Sequence, residues 1–139
     1  METSGNCYGF IFRGLVNKDE KMFLSRGDIK LSQFMKTKEQ IDENTDETIS
    51  KIFEILQENN SKWKVIELFD NEKKSQHLAF LNSEGKIYDE TFRKGIRFEE
   101  DLSTLLDEYK DLFGNAYFQI HRIKPEQQEN VNAFIAKYE

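Results

Sequence analysis

Between Cys7 and Val16 the apolar residues Phe10, Ile11, Phe12, Leu15 and Val16 leave almost no polar face, the pattern of a short helix buried in the middle of a fold. Gly9 and Gly14 weaken such a helix but let a neighbouring element come close. Residues 22–34 read as irregular, with Arg26-Gly27-Asp28 as a turn. Between Lys36 and Glu47 the sole apolar residue is Ile41, which predicts a surface loop or the exposed start of a helix. Ile49, Ile52, Phe53 and Leu56 then recur at helical spacing over residues 44–59. Asn44 or Thr45 is the expected N-cap and acids follow in the first turn.

The second half changes period. Residues 63–69 supply apolar side chains to both faces of a strand, and Asp70-Asn71-Glu72 turns the chain. Residues 76–81 form the next strand, Asn82-Ser83-Glu84-Gly85 a turn, and residues 86–90 a third strand. A helix is expected over 98–113, with Leu102, Leu105, Leu106, Tyr109 and Phe113 on one stripe and Gly114 as its stop. A last strand over 116–123 leads to Pro125, which opens a terminal helix through Tyr138. This order predicts an α+β fold with a mainly antiparallel sheet. At 139 residues without an internal repeat or linker, the chain reads as one domain over residues 1–139.

Twelve phenylalanines and five tyrosines against one proline describe an aromatic core, not a disordered tail. A formal charge of −6 with no clustered basic face argues against nucleic acid as a partner, because that binding is driven by lysine and arginine replacing counterions. No segment approaches membrane-spanning length. Cys7 is the single cysteine, so no disulfide forms within the chain, and the expectation is a protein that folds in a reducing compartment or a piece excised from a larger secreted one. One cysteine and two widely spaced histidines give no metal-site signature. Neither a metal nor another cofactor is expected.

Cys7 follows Ser4-Gly5-Asn6, a polar turn that delivers it to a helix start. A helix N-terminus favours a thiolate and offers backbone N–H groups to an oxyanion; Asn6, with Ser4, is a candidate extra donor. His77 opens a strand, and the hairpin register decides which acid shares its face. A three-residue Ser83-Glu84-Gly85 loop with a left-handed glycine opposes Leu81 to Ile87 and Phe80 to Tyr88, pairing apolar with apolar. Asp89 then faces Ala79, one diagonal step from His77. Packing alone therefore places an acid beside the imidazole. Singly, a lone cysteine in apolar surroundings is most often an inert core residue, and a strand histidine is usually satisfied or at the surface. Together they form a nucleophile (Cys7), a base (His77) and an orienter (Asp89). Glu90 is the orienter if the register differs. His121, beside Arg122, is read as structural.

Gly5-Asn6-Cys7-Tyr8-Gly9-Phe10 resembles the nucleophile helix of the papain-like superfamily, and residues 77–89 resemble its histidine strand and following hairpin. The resemblance covers these two motifs. It implies a papain-like fold, with a buried N-terminal nucleophile helix on the antiparallel sheet. The nearest members in style are bacterial papain-fold toxin and effector domains, which include proteases and glutamine deamidases, and the NlpC-type cell-wall peptidases. The chain departs from papain in lacking a glutamine ahead of Cys7. It departs from the cell-wall group in Asn6, Tyr8 and Asp89, the last standing where that group commonly carries a second histidine.

By that resemblance the expected function is a cysteine hydrolase acting on a protein amide, by deamidation or peptide cleavage. It would be a domain delivered into a target-cell cytoplasm, with a cognate immunity protein as a further partner. Two other readings stand beside it: a peptidoglycan peptide hydrolase, and a non-enzymatic acidic inhibitor or immunity-type module steered to a basic partner by its charge.

Overall fold

The structure is a computed structural model and describes residues 5–18, 24, 34–41, 46–57, 62–113 and 117–138. Helix α1 (Cys7–Val16) begins where Asn6, in an extended conformation, accepts a hydrogen bond from the Gly9 N–H at 2.8 Å. It stops at Asn17, whose left-handed backbone lets its N–H donate to the Arg13 carbonyl. The other elements are β1 (Met35–Ile41), α2 (Asp46–Leu56), β2 (Trp63–Phe69), β3 (Ser75–Asn82), β4 (Lys86–Thr91), β5 (Gly95–Asp101), α3 (Leu102–Phe113), β6 (Tyr117–Ile123) and α4 (Pro125–Ala136).

Among the described residues, six strands join one sheet in the order β1-β6-β2-β3-β4-β5, every neighbour antiparallel. The α+β class and the antiparallel sheet are as expected from the sequence. So is the β3–β4 register: Phe80 opposes Tyr88 and Leu81 opposes Ile87. Asn82 fixes that turn, its side-chain oxygen accepting from the Glu84 and Lys86 N–H groups at 3.0 and 2.9 Å. Gly85 takes φ +79°, the conformation its left-handed bulge position requires.

Two expectations are corrected. Within the polar stretch from Lys36 to Glu47, residues 36–41 are neither loop nor helix start but belong to β1, an edge strand paired only with β6; residues 42–45 lie outside the described residues, and Asp46 and Glu47 open α2, as the helix-start alternative had it. An edge strand has a neighbour on one side and tolerates a polar sequence. Residues 95–101, in part assigned to a helix, form β5 at the opposite edge, and the helix starts only at Leu102. Glu99, at φ 56°, lies where the β4–β5 register slips, so a bulge broke the alternation by which a strand is recognised. The expected caps of α2, the stop at Gly114, and all of 22–34 except Leu24 and Phe34 lie outside the described residues.

Each sheet face carries its own core. Ile66, Leu68, Ala79, Leu81, Ile87, Phe118 and Ile120 pack beneath α2 and α3. Trp63, Val65, Leu78, Phe80 and Tyr88 pack beneath α1 and α4. Gly14 lets α1 approach the sheet closely: a Cβ there would lie 2.4 Å from the Phe80 ring.

Candidate active site

The β3–β4 ladder consists of two residue pairs, and toward Ser75 and Thr91 the strands part. The start of α1 is tied to both sides of this opening. The Tyr8 hydroxyl hydrogen-bonds the Ser75 hydroxyl on β3 at 2.9 Å, and the Gly5 N–H donates to the Glu90 carboxylate on β4 at 3.2 Å. Cys7, the first residue of the helix, is thereby held at the gap. His77 and Asp89 alternate in step with Leu81 and Ile87, so both lie on the α2–α3 face.

His77 Nε2 and Asp89 Oδ2 are 2.7 Å apart, with the histidine 3% and the carboxylate 0% exposed. Burial disfavours the charged imidazole, but hydrogen bonds with Asp89 and Cys7, and the charges of both, outweigh it and push the His77 pKa up to about 9. Because Asp89 occupies Nε2, the ring nitrogen left for the thiol is Nδ1. Cys7 itself is buried, at 9% exposure. The three residues singled out from sequence thus meet in one cluster.

Asp89 is held by a residue the sequence reading missed. Arg97, directly opposite it on β5, donates from Nε to Oδ1 at 2.9 Å and from Nη2 to Oδ2 at 2.8 Å. Burial pushes the Asp89 carboxyl up, but the hydrogen bonds from Arg97 and His77 prevail and hold it below its usual value. Arg97 Nη1 reaches Glu108 of α3 at 2.8 Å, and Lys94 reaches the same carboxylate at 3.1 Å. Charges alternate in sign from His77 through Asp89, Arg97 and Glu108 to Lys94. Burial also opposes ionisation of Glu108, but Arg97 and Lys94 together keep its pKa lowered. Tyr109 of α3 lies against His77, ring centroids 5.3 Å apart and planes 30° from parallel. Burial, then the charges of Cys7 and Asp89, keep its phenol protonated. Arg97 would have been legible had residues 95–98 been read as a strand opposite Asp89, whereas Tyr109 stood on the expected helical stripe without its contact with His77.

Asn6 is engaged at both ends of its side-chain amide. Its side-chain oxygen accepts from the Gly9 and Leu24 N–H groups at 2.8 and 3.2 Å, and its nitrogen donates to the Leu24 carbonyl at 2.7 Å. It caps α1 and anchors Leu24; Ser4 lies outside the described residues. Glu90 binds Gly5 and does not replace Asp89. His121 pairs with Glu67 at 2.8 Å inside the sheet, in keeping with its structural reading. Among the described residues no group of histidine, cysteine and acidic side chains has the arrangement of a metal site, and no helix is long and apolar enough to cross a membrane.

Comparison with family models, curated proteins and solved structures yields no match. The chemistry of the site therefore rests on its own geometry.

Proposed function

We propose that the protein is a thiol hydrolase of papain-like design that acts on a protein amide, with Cys7 as nucleophile, His77 as proton shuttle and Asp89 as orienter. The observation that carries this reading is the buried 2.7 Å His77–Asp89 contact, with Cys7 near enough to help raise the His77 pKa. An imidazolium beside a thiol supplies the positive charge that a thiolate nucleophile needs. Cys7 Sγ attacks the carbonyl carbon, and the backbone N–H groups at the start of α1, other than that of Gly9, which Asn6 takes, would receive the developing oxyanion. His77 gives its proton to the leaving nitrogen as the C–N bond breaks. Water, deprotonated by His77, then hydrolyses the thioester and restores the thiol. Arg97 acts through Asp89 as a positioning residue. The toxin or effector setting, with a cognate immunity protein as partner, belongs to the same reading by motif resemblance alone.

The test is the pH dependence of Cys7 alkylation by iodoacetamide in the wild type and in His77→Asn, with folding checked by circular dichroism. Alkylation well below the pH range of an ordinary thiol, lost in the variant, is the expected result. A slow reaction with an ordinary thiol profile in both proteins would overturn the hydrolase reading and favour the acidic binding module.

A further inference from the structure

Beyond Tyr109 lies a surface cavity of about 450 Å³, between the β4–β5 turn and α3. Its outer walls are Phe92, whose side chain is wholly exposed, and Leu112, 68% exposed. Arg97, Glu108 and Lys94 also line it, and they are engaged with one another and with Asp89. Thr91 and Arg93 complete a lining that is mainly apolar, so recognition in this cavity falls chiefly to Phe92, Tyr109 and Leu112. Exposed aromatic and aliphatic side chains flanking a concave site are the features of a ligand pocket rather than of ordinary surface.

Tyr109 belongs to both places: it lines the cavity and lies against His77, ring centroids 5.3 Å apart. An occupant that touches Tyr109 is therefore in contact with the ring on which the imidazole packs. That position has a chemical meaning. A general acid hands its proton to the leaving nitrogen, so the leaving group departs on the histidine side of the site. Ammonia, the leaving group of a deamidation, has no substituent to fill a cavity there.

The geometry points to a leaving-group subsite: the cavity walled by Phe92, Tyr109 and Leu112 takes an aromatic or large aliphatic side chain attached to the departing amine, so that the bond cleaved is a secondary, peptide-type amide. This inference rests on the hydrolase reading above and narrows it from amide hydrolysis in general to peptide cleavage.

Run in reverse, the same subsite selects the amine that attacks an acyl-enzyme. The amine nitrogen bonds to the thioester carbonyl carbon, His77 takes the surplus proton, and the C–S bond breaks to release Cys7. The enzyme is acetylated with p-nitrophenyl acetate, and glycinamide and phenylalaninamide are compared at equal concentration as acceptors by measuring N-acetyl product. The nitrophenolate burst counts competent thiols, so the ratio is read per active site. Phenylalaninamide is expected to be captured roughly tenfold better or more, and the ratio is expected to fall toward unity in Phe92→Ser/Leu112→Ser. A burst that needs Cys7 and His77 but shows no such preference, or a preference that survives the double substitution, would overturn the subsite and leave the hydrolase standing. Absence of a Cys7- and His77-dependent burst would remove both.

Discussion

Arg97 grips Asp89 with two hydrogen bonds from one guanidinium, at 2.9 and 2.8 Å, at the directly opposed position of the neighbouring strand. The same Asp89 oxygen that receives Arg97 Nη2 also receives His77 Nε2. The arginine thus fixes both the charge and the orientation of the group that orients the histidine.

Arg97→Met should leave the fully buried Asp89 with one of its three hydrogen-bond donors, lowering the unfolding free energy by about 3–5 kcal/mol. Arg97→Lys should recover part of the loss, since an ammonium supplies charge without the fork. Urea denaturation measures both. A change within about 0.5 kcal/mol for the methionine variant, the size of an ordinary surface substitution, would show that the fork contributes nothing.

The histidine makes stability depend on pH in a defined window. Folding raises its pKa from 6.5 to about 9, so the folded chain holds that proton more tightly than the unfolded one. The resulting stabilisation is fully present below about pH 6.5, declines between 6.5 and 9, and is lost above. Asp89 and Glu108 are shifted the opposite way. Their contribution is present above their ordinary values of 3.8 and 4.5 and is lost as pH falls through the lowered ones. Urea midpoints across this range should show the basic decline in the wild type. Asp89→Asn should flatten it, and the His77 ring resonances should titrate at lower pH in that variant. An unchanged His77 titration would refute the pairing.

Gly14→Ala tests the seating of the nucleophile helix. The added methyl would sit 2.4 Å from the Phe80 ring and 3.2 Å from Phe134, so α1 must shift or the rings must turn. Overpacking of this kind costs about 1–3 kcal/mol, read as a lower thermal midpoint. The same substitution should slow Cys7 alkylation by displacing the thiol from His77. A neutral effect on both readouts would mean that the helix has room to move.

Much of this arrangement was legible because local rules converged on it. The apolar run after Cys7 needed no partner to read as a buried helix, and Ser83-Glu84-Gly85 set a register that carried Asp89 to His77. The edges were not legible. Strand β1 has a polar sequence because only β6 pairs with it, and β5 hides a bulge at Glu99 ahead of a strongly periodic helix. Missing β5 meant missing Arg97, whose role depends on a cross-strand neighbour far from any motif. Asn6 illustrates a different limit: its residue type fits a cap as well as an oxyanion donor, and its tie to Leu24 was not legible.

The grip on α1 by α4 has a consequence for the order of events during synthesis. Phe10 meets Phe134 with ring centroids 5.2 Å apart, Asn130 donates to the Leu15 carbonyl at 2.8 Å, and Lys137 reaches Asn17 at 3.0 Å. The thiol therefore emerges from the ribosome early, its imidazole much later, and the element that seats the thiol's helix later still. Until α4 docks, Cys7 is held through the ties of α1 to β3 and β4, by Tyr8 and Gly5. In a nascent chain the full seating of Cys7 beside His77 would therefore wait for α4, although both residues have been synthesised before it.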